Sequence, residues 1–265
     1  MVTKQKKRAT SVDSASPKTI VIDQLRTLCV GLEVTGTADL IQNNFSQKSI
    51  EQMLKKHMGI SVQKESKKPS QVIEQATIRN VANAICVPPT ALKSAMLTAS
   101  TQLKTLKKTQ IRTSLFIEGG SIPITYSEMI PRMDIVRTSG MTRTPDVRFR
   151  PGFIGWSARM IIQFADTLSV QTVVDLLNRA GTVGIGEWRP EKNGTHGTFR
   201  VSRHIDKASE IEEVREECAP PLQRPTIPSW ALDADIDPTI LSKIFDESNE
   251  DQAQERTNNH SRAEA

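Results

Sequence analysis

The sequence predicts an α+β protein: a ferredoxin-like (RRM-like) β-α-β-β-α-β core with a helical insertion and a disordered acidic C-terminal tail. Strand-like and helix-like segments follow one another in that order. The clearest segment, 153–164, alternates polar and apolar residues as a half-buried strand does. A glycine-rich connection at 181–197 then joins the second predicted core helix to the last strand. At 265 residues, the chain has room for one sizeable core and a smaller insertion.

The N-terminal part is predicted to contribute a basic arm, one strand and one helix. Residues 1–18 mix Lys, Ser, Thr and Pro without periodicity, which is typical of a flexible arm. Residues 19–34 alternate loosely as a strand and open the predicted domain, which spans 19–205. Ser46 is a candidate N-cap for a helix that reaches His57.

The insertion is predicted to span about 60–108 and to be mostly helical. Pro88-Pro89 interrupts it, because proline is incompatible with a helix interior. Thr90 is a candidate cap for the helix that follows.

Short strands and one helix are predicted for the second half of the domain. The helix has Val173, Leu176 and Leu177 on one face and stops at Ala180-Gly181. The segments, in chain order, are strands within 109–124 around a Gly119-Gly120 turn, a strand at 133–137, a loop at 138–146, a strand at 153–164, a helix at 170–179 and a strand at 198–201.

The net charge of +5 hides a strong asymmetry. The residues before Ile205 include 29 basic and 15 acidic ones, whereas the remainder includes 6 basic and 15 acidic ones. A body this basic favours a polyanionic partner through counterion release. The tail at 206–265 contains prolines and is predicted to be largely disordered, and it could fold back over the basic body and compete with ligands.

The three cysteines are widely spaced and form no CxxC pair. This pattern indicates reduced thiols rather than a disulfide framework or a zinc site. No stretch approaches the roughly 20 apolar residues that a membrane span needs. The basic N-terminus lacks the apolar run of a secretory signal. We therefore expect a cytoplasmic protein without a membrane partner and without a cofactor.

The stretch GTVGIGEWRPEKNGTHGTFRV is the most informative for function. Glycine allows close backbone approach and positive φ, while Trp188 offers a stacking plane and Arg189 and Lys192 offer cations. Each of the two larger side chains also has a structural alternative to a binding role. Trp188 could pack beneath the loop, and Arg189 could form a salt bridge with Glu187 or Glu191. The glycines of this connection are Gly181, Gly184, Gly186, Gly194 and Gly197.

Three arginines lie on and just before a predicted strand, in TRTPDVRFRPGF. Arg148 and Arg150 are two residues apart and project from one face, with Phe149 on the other. Paired guanidinium groups suit phosphate oxygens, although Asp146 or Glu187 could neutralise them instead. Lys93 and the basic run at 104–112 are a candidate second contact surface.

The order of elements and the position of GIGEWRPEKNGTHGTF resemble the repeat-associated RNA-binding (RAMP) superfamily, which includes the backbone subunits and crRNA-processing nucleases of CRISPR systems. The opening TIVIDQLRTLCVGLEVTG resembles the first strand of such proteins. The resemblance implies that the glycine-rich loop contacts RNA. The segments VPPTALKSAM, PDVRFRPGFIGWSA and GIGEWRPEK are also similar to a group of uncharacterised bacteriophage proteins.

The leading hypothesis is a non-catalytic protein that binds single-stranded nucleic acid, preferably RNA. It would self-associate along the strand and would be encoded by a phage or prophage within a bacterial host cell. The residues expected to contact the strand are Arg143, Arg148, Arg150, Gly184, Gly186, Trp188, Arg189, Lys192, Gly194 and His196.

Two alternatives remain. One is a metal-independent endoribonuclease that uses His196 or His204 as general acid or base, although the sequence contains neither GxSxG nor GxxxxGK[ST]. The other is a structural or interaction protein of a virus particle.

Overall fold

The computed structural model describes residues 26–45, 47–60, 68–103, 106–137 and 144–226. The predicted basic arm, Ser46, Arg143 and the tail beyond residue 226 lie outside the described residues. The elements are β1 (Thr27–Gly36), β2 (Leu40–Ile41), α1 (Gln47–His57), α2 (Pro69–Ala76), β3 (Cys86–Val87), α3 (Pro89–Ser100), α4 (Lys108–Ser114), β4 (Leu115–Ile117), β5 (Ile122–Thr125), β6 (Glu128–Arg137), β7 (Pro145–Ile154), β8 (Ser157–Ala165), α5 (Val170–Val183), β9 (Phe199–Ile205) and α6 (Ala208–Cys218).

The main sheet is antiparallel, and β8 and β1 form its centre. β9 pairs with the other side of β1, while β4 and β5 both pair with the other side of β8. β3 extends the sheet beyond β5. The β1–β8 register places Leu32 opposite Met160, so that both side chains point to the same face.

That face is the inner face of the sheet, and α3 and α5 cover it. The helices contribute Leu92, Met96, Leu176 and Leu177 to a continuous core in which these side chains are fully buried. α5 begins as its sequence predicts, because the Ser169 Oγ accepts a hydrogen bond from the Thr172 N–H. Together these elements make an α+β protein of antiparallel sheets and helices.

A second sheet has the order β2-β7-β6. β6 and β7 form a long hairpin whose register runs from Glu128 opposite Ile154 to Arg137 opposite Pro145. The predicted strand at 133–137 is therefore the distal half of a ten-residue strand. The predicted loop at 138–146 overlaps the start of β7.

The prediction of one strand at 153–164 is wrong, because this segment holds the end of β7, a corner and β8. Gly155 makes the corner with a φ of +59°. Buried Trp156 follows it, and its indole N–H donates to the carbonyl oxygen of Ala38 at 2.9 Å. Apolar residues flank the corner on both sides, so the alternating pattern continues through it.

The prediction of a strand starting at residue 109 is also wrong, since 108–114 form the helix α4. Thr109, Ile111 and Thr113 alternate as strand residues do, but Ile111 is fully buried from a helix. Here a tertiary contact overrides the local β propensity.

Two helix boundaries also differ from the prediction. α3 starts at Pro89, since proline is tolerated in the first helical turn, and Thr90 is therefore not its cap. α5 continues past Gly181 to Val183. Gly181 serves close packing instead: a Cβ there would lie 1.9 Å from the Phe199 carbonyl oxygen.

The acidic stretch predicted as a disordered tail begins with an ordered helix, α6. Val214 and Cys218 are buried against Ile161 and Ile205 on the outer face of the main sheet. Their four-residue spacing, together with Ile211, makes an apolar stripe within a segment dominated by glutamate. Disorder was predicted from the charge of this segment, and the apolar stripe was overlooked.

Candidate nucleic-acid interface

The glycine-rich loop is held against β2 by backbone hydrogen bonds. The Glu187 N–H donates to the Ile41 carbonyl oxygen at 2.9 Å, and the Gly197 N–H donates to that of Asp39 at 2.8 Å. A Cβ at Gly194 would lie 1.7 Å from the Trp188 carbonyl oxygen. Close approach within the chain therefore accounts for the absence of side chains at these glycines.

Gly184 and Gly194, two of the residues expected to contact the strand, use their backbone N–H groups within the chain. The Gly184 N–H donates to the Ala180 carbonyl oxygen at 2.9 Å, and the Gly194 N–H donates to that of Arg189 at 3.0 Å. At Gly186, a Cβ would lie 2.5 Å from the Ile41 carbonyl oxygen. The loop therefore packs on its own neighbours.

Arg189 adopts the salt-bridged alternative. Its Nε donates to Glu191 at 2.9 Å, and its guanidinium also donates to the Gly186 carbonyl oxygen at 2.8 Å. Burial raises the pKa of Glu191, but hydrogen bonds from Thr98 and Arg189 outweigh it and leave the pKa below its usual range. Lys192 is exposed and forms no ion pair with another described residue.

Trp188 does not pack in the core beneath the loop, and its role as a stacking plane stays a prediction. It is 37% exposed, and its indole N–H donates to Asp134 Oδ2 at 3.3 Å. Its φ of +53° is unusual for a bulky residue.

The expectation that Arg150 is available to a ligand is wrong, because only 2% of the residue is exposed. Its guanidinium lies 3.3 Å from Asp134 and 3.6 Å from Glu187. Arg132 is opposite it on β6 and lies 3.6 Å from Asp134. The Nε atoms of Arg132 and Arg150 are buried without a hydrogen-bond partner.

The face assignment of these arginines is confirmed. Arg148 and Arg150 lie opposite Asp134 and Arg132, while Phe149 lies opposite Met133 on the other face. Arg148 remains half-exposed and lies 3.4 Å from Asp146. Arg143 lies outside the described residues, so its role stays a prediction.

His196 and His204 are separated by the turn into β9. His196 is half-buried in the loop, where its backbone N–H donates to the Trp188 carbonyl oxygen at 2.9 Å. His204 is exposed on β9, opposite Leu32 of β1. Within the described ranges, no group of three or more His, Cys, Asp or Glu side chains is placed to hold a metal ion.

A different surface combines an exposed aromatic ring with cations that form no ion pair among the described residues. Phe116 is 52% exposed on β4, and the Lys93 Nζ lies 4.4 Å from the centre of its ring. α4 directly precedes β4 and packs against α3. We call this surface the β4 edge; its residues are Lys93, Lys107, Lys108, Arg112 and Phe116.

Part of the β4 edge is visible in the sequence. Lys93 and the basic run at 104–112 stand out by composition. Phe116 was missed because the strand prediction for 109–124 did not show which side chains remain uncovered. Only the pairing of Phe116 with Gln163 of β8 reveals its place on the outer face.

Comparisons with known proteins add a likeness to solved structures. No family model matches the chain, and no curated protein matches it either. A chain from a solved structure, described as the cryo-EM structure of the type III-B Cmr-beta bound to cognate target RNA, is similar with a TM-score of 0.43 and 11% identity. The match covers 68% of this chain and 60% of that chain.

None of the helices that the structure describes has the length and apolar character needed to cross a membrane.

Proposed function

We propose that this protein binds single-stranded nucleic acid, preferably RNA, without cleaving it, and that the β4 edge is the contact surface. The observation that carries the proposal is the exposed Phe116 ring with the Lys93 ammonium group over it. Bases stack on an aromatic plane next to cations while the cations neutralise phosphates. The basic body supplies the long-range attraction.

The β4 edge suits a single strand better than a duplex. A base stacked on an aromatic side chain contributes about 1–3 kcal/mol, and only an unpaired base exposes the required face. Lys93 lies over one part of the ring and forms a cation–π contact. When a base stacks there, the ammonium group can turn to a phosphate oxygen.

The strand order supports a ferredoxin-like core of the RAMP type as the scaffold. Across the sheet, the order is β9, β1, β8 and then β4 with β5, and α3 and α5 lie in the two crossover connections. This corresponds to the order 4-1-3-2 of a β-α-β-β-α-β unit. The β6–β7 hairpin is then an insertion between the second and third core strands.

The geometry of the histidines favours binding over cleavage. His196 and His204 are not hydrogen-bonded through their rings to another acid–base side chain among the described residues. General acid–base catalysis requires such groups in mutual reach of one substrate. We therefore propose a protein that holds the strand.

An interaction function has its own supporting observation. On one face of the β6–β7 hairpin, Met133 is 64% exposed and Ile135 is 72% exposed. Exposed apolar faces of this kind are typical of association sites. We propose that copies of the chain associate through this face along a bound strand.

The test is an equilibrium titration of a labelled single-stranded RNA with Phe116→Ala. Loss of one stacked base should weaken binding about tenfold, which is the lower part of the range for aromatic–base stacking. Phe45→Ala is the matched control, because Phe45 is 65% exposed and follows β2 in the other sheet.

Equal affinities for the wild type and Phe116→Ala would refute the β4 edge as the contact surface. Cleavage of the RNA in the presence of a chelator, abolished by His196→Ala or His204→Ala, would instead favour the ribonuclease. Stable assembly with no binding to any single strand would favour a structural protein.

A further inference from the structure

The outer face of the main sheet carries two arginines that form ion pairs with glutamates of α6. Arg159 of β8 and Arg203 of β9 lie in one row with Glu33 of β1 between them. The next row holds Ile161, Gly31 and Ile205, and the row beyond that holds Phe116 of the β4 edge with Gln163. The covered face and the proposed contact surface are therefore continuous.

α6 holds Arg159 with three carboxylates. The Arg159 guanidinium pairs with Glu213 at 3.1 Å, with Glu217, and more loosely with Glu210 at 3.7 Å. These glutamates lie three and four residues apart and so project from one side of the helix. The burial of Arg159 lowers its pKa, but the hydrogen bonds and charges of Glu213 and Glu217 outweigh that effect and raise it.

Arg203 is held in the same way at the other end of α6. It donates to Glu33 at 2.9 and 3.0 Å, and it also pairs with Glu210. The hydrogen bond from Arg203 in turn lowers the pKa of Glu210. A row of carboxylates about two helical turns long, or about 10 Å, thus follows the sheet arginines.

The apolar contact that accompanies these ion pairs is small. Only Ile211, Val214 and Cys218 of α6 pack against Ile161 and Ile205. This satellite core is separate from the main core, which forms between the sheet and α3 with α5. No side chain of α6 belongs to the main core, although the N–H groups of Gly120 and Ser121 donate to the Cys218 carbonyl oxygen at the end of the helix.

We propose that the outer sheet face beneath α6 is a second binding surface for a single-stranded polyanion, and that α6 keeps it closed with carboxylates in the positions of phosphates. The inference rests on the proposed function, since a strand that stacks on Phe116 continues onto this face only after α6 leaves. Arg159 then pairs with a phosphate, while Arg203 stays paired with Glu33 of β1, and Ile161 and Ile205 lie against bases.

The test compares two variants that each remove two negative charges from α6. Glu213→Gln with Glu217→Gln weakens the hold on Arg159. Glu212→Gln with Glu216→Gln changes the net charge equally but leaves Arg159 paired, because Glu212 pairs with Arg215 and Glu216 is exposed. Glutamine has nearly the helix propensity of glutamate, so α6 stays helical in both.

A labelled oligouridine of about 20 nucleotides, long enough for more than one site of single-strand-binding size, is titrated at two salt concentrations. The first variant should bind about fivefold tighter than the second, with a salt slope steeper by about 0.7 for the one freed arginine. Adding Arg159→Gln to the first variant should remove the gain.

Equal binding by the two double variants, with Phe116-dependent binding of the wild type intact, would overturn this inference alone. Absence of binding by the wild type and every variant would overturn the proposed function as well. Hydrogen exchange supplies an independent readout: saturating oligouridine should speed exchange of the α6 amides. Unchanged or slower exchange there would contradict displacement of α6.

Discussion

Gly197 has a φ of +69°, and a Cβ there would lie 1.8 Å from the Ile185 carbonyl oxygen. Gly197→Ala should therefore lower the free energy of unfolding by about 2–4 kcal/mol, since both the backbone conformation and the contact oppose a side chain. Chemical denaturation measures the change. Thr195→Ala in the same loop is the control, because Thr195 is exposed. A loss below about 1 kcal/mol would show that the loop relaxes readily.

Asp134 in the distal half of β6 joins three groups. It accepts from Arg150 and from the Trp188 indole, each at 3.3 Å, and it lies 3.6 Å from Arg132. Asp134→Asn should destabilise the fold by about 3–5 kcal/mol, because it leaves the buried Arg150 charge poorly compensated. Asp146→Asn, which faces the half-exposed Arg148, should cost below about 1 kcal/mol. Similar losses in thermal or chemical unfolding would contradict this ranking.

The three cysteines should differ in reactivity. Burial raises the pKa of Cys86 to about 11 and that of Cys218 to about 12, whereas Cys29 is exposed on β1. Since the thiolate is the reactive form, a thiol reagent at about pH 8 should label Cys29 first and the other two slowly. Mass spectrometry of the labelled peptides checks the order. Rapid labelling of Cys218 would show that α6 leaves the sheet without a ligand.

At the scale of elements, apolar periodicity was enough to predict α1, the start of α5 and the 27–34 part of β1. The alternation of polar and apolar residues did not show the boundary between β7 and β8, because it continues through the corner at Gly155. It also failed for α4 and α6, whose places depend on single buried residues such as Ile111 and Val214. The candidate site was affected in the same way, because the ion pairs of Arg150 and Arg189 arise from strand pairing and loop packing.

The β6–β7 hairpin yields a prediction at this scale. Met133→Ser with Ile135→Ser should reduce self-association, because it removes the most exposed apolar side chains of the hairpin face. Sedimentation velocity over a range of concentrations measures the effect. Val81→Ser is a suitable control, since Val81 is 62% exposed outside the hairpin. A monomeric wild type at every concentration would remove this face as an association site.

At the scale of the whole molecule, charge is divided between a basic body and an acidic C-terminal stretch, and α6 brings part of that stretch onto the sheet. The charge asymmetry is visible in the sequence, and it predicts a polyanionic partner. The sequence does not locate the proposed contact surface, because the tertiary fold decides which cations remain without a carboxylate. The phage or prophage origin stays a prediction.

The most direct test of the central claim is photo-crosslinking of the full-length protein to a 4-thiouridine-labelled single-stranded RNA, followed by peptide mapping. The account predicts crosslinks on the peptide that contains Phe116, and it predicts that they disappear in Phe116→Ala. Crosslinks confined to the glycine-rich loop, or none at low salt, would contradict it.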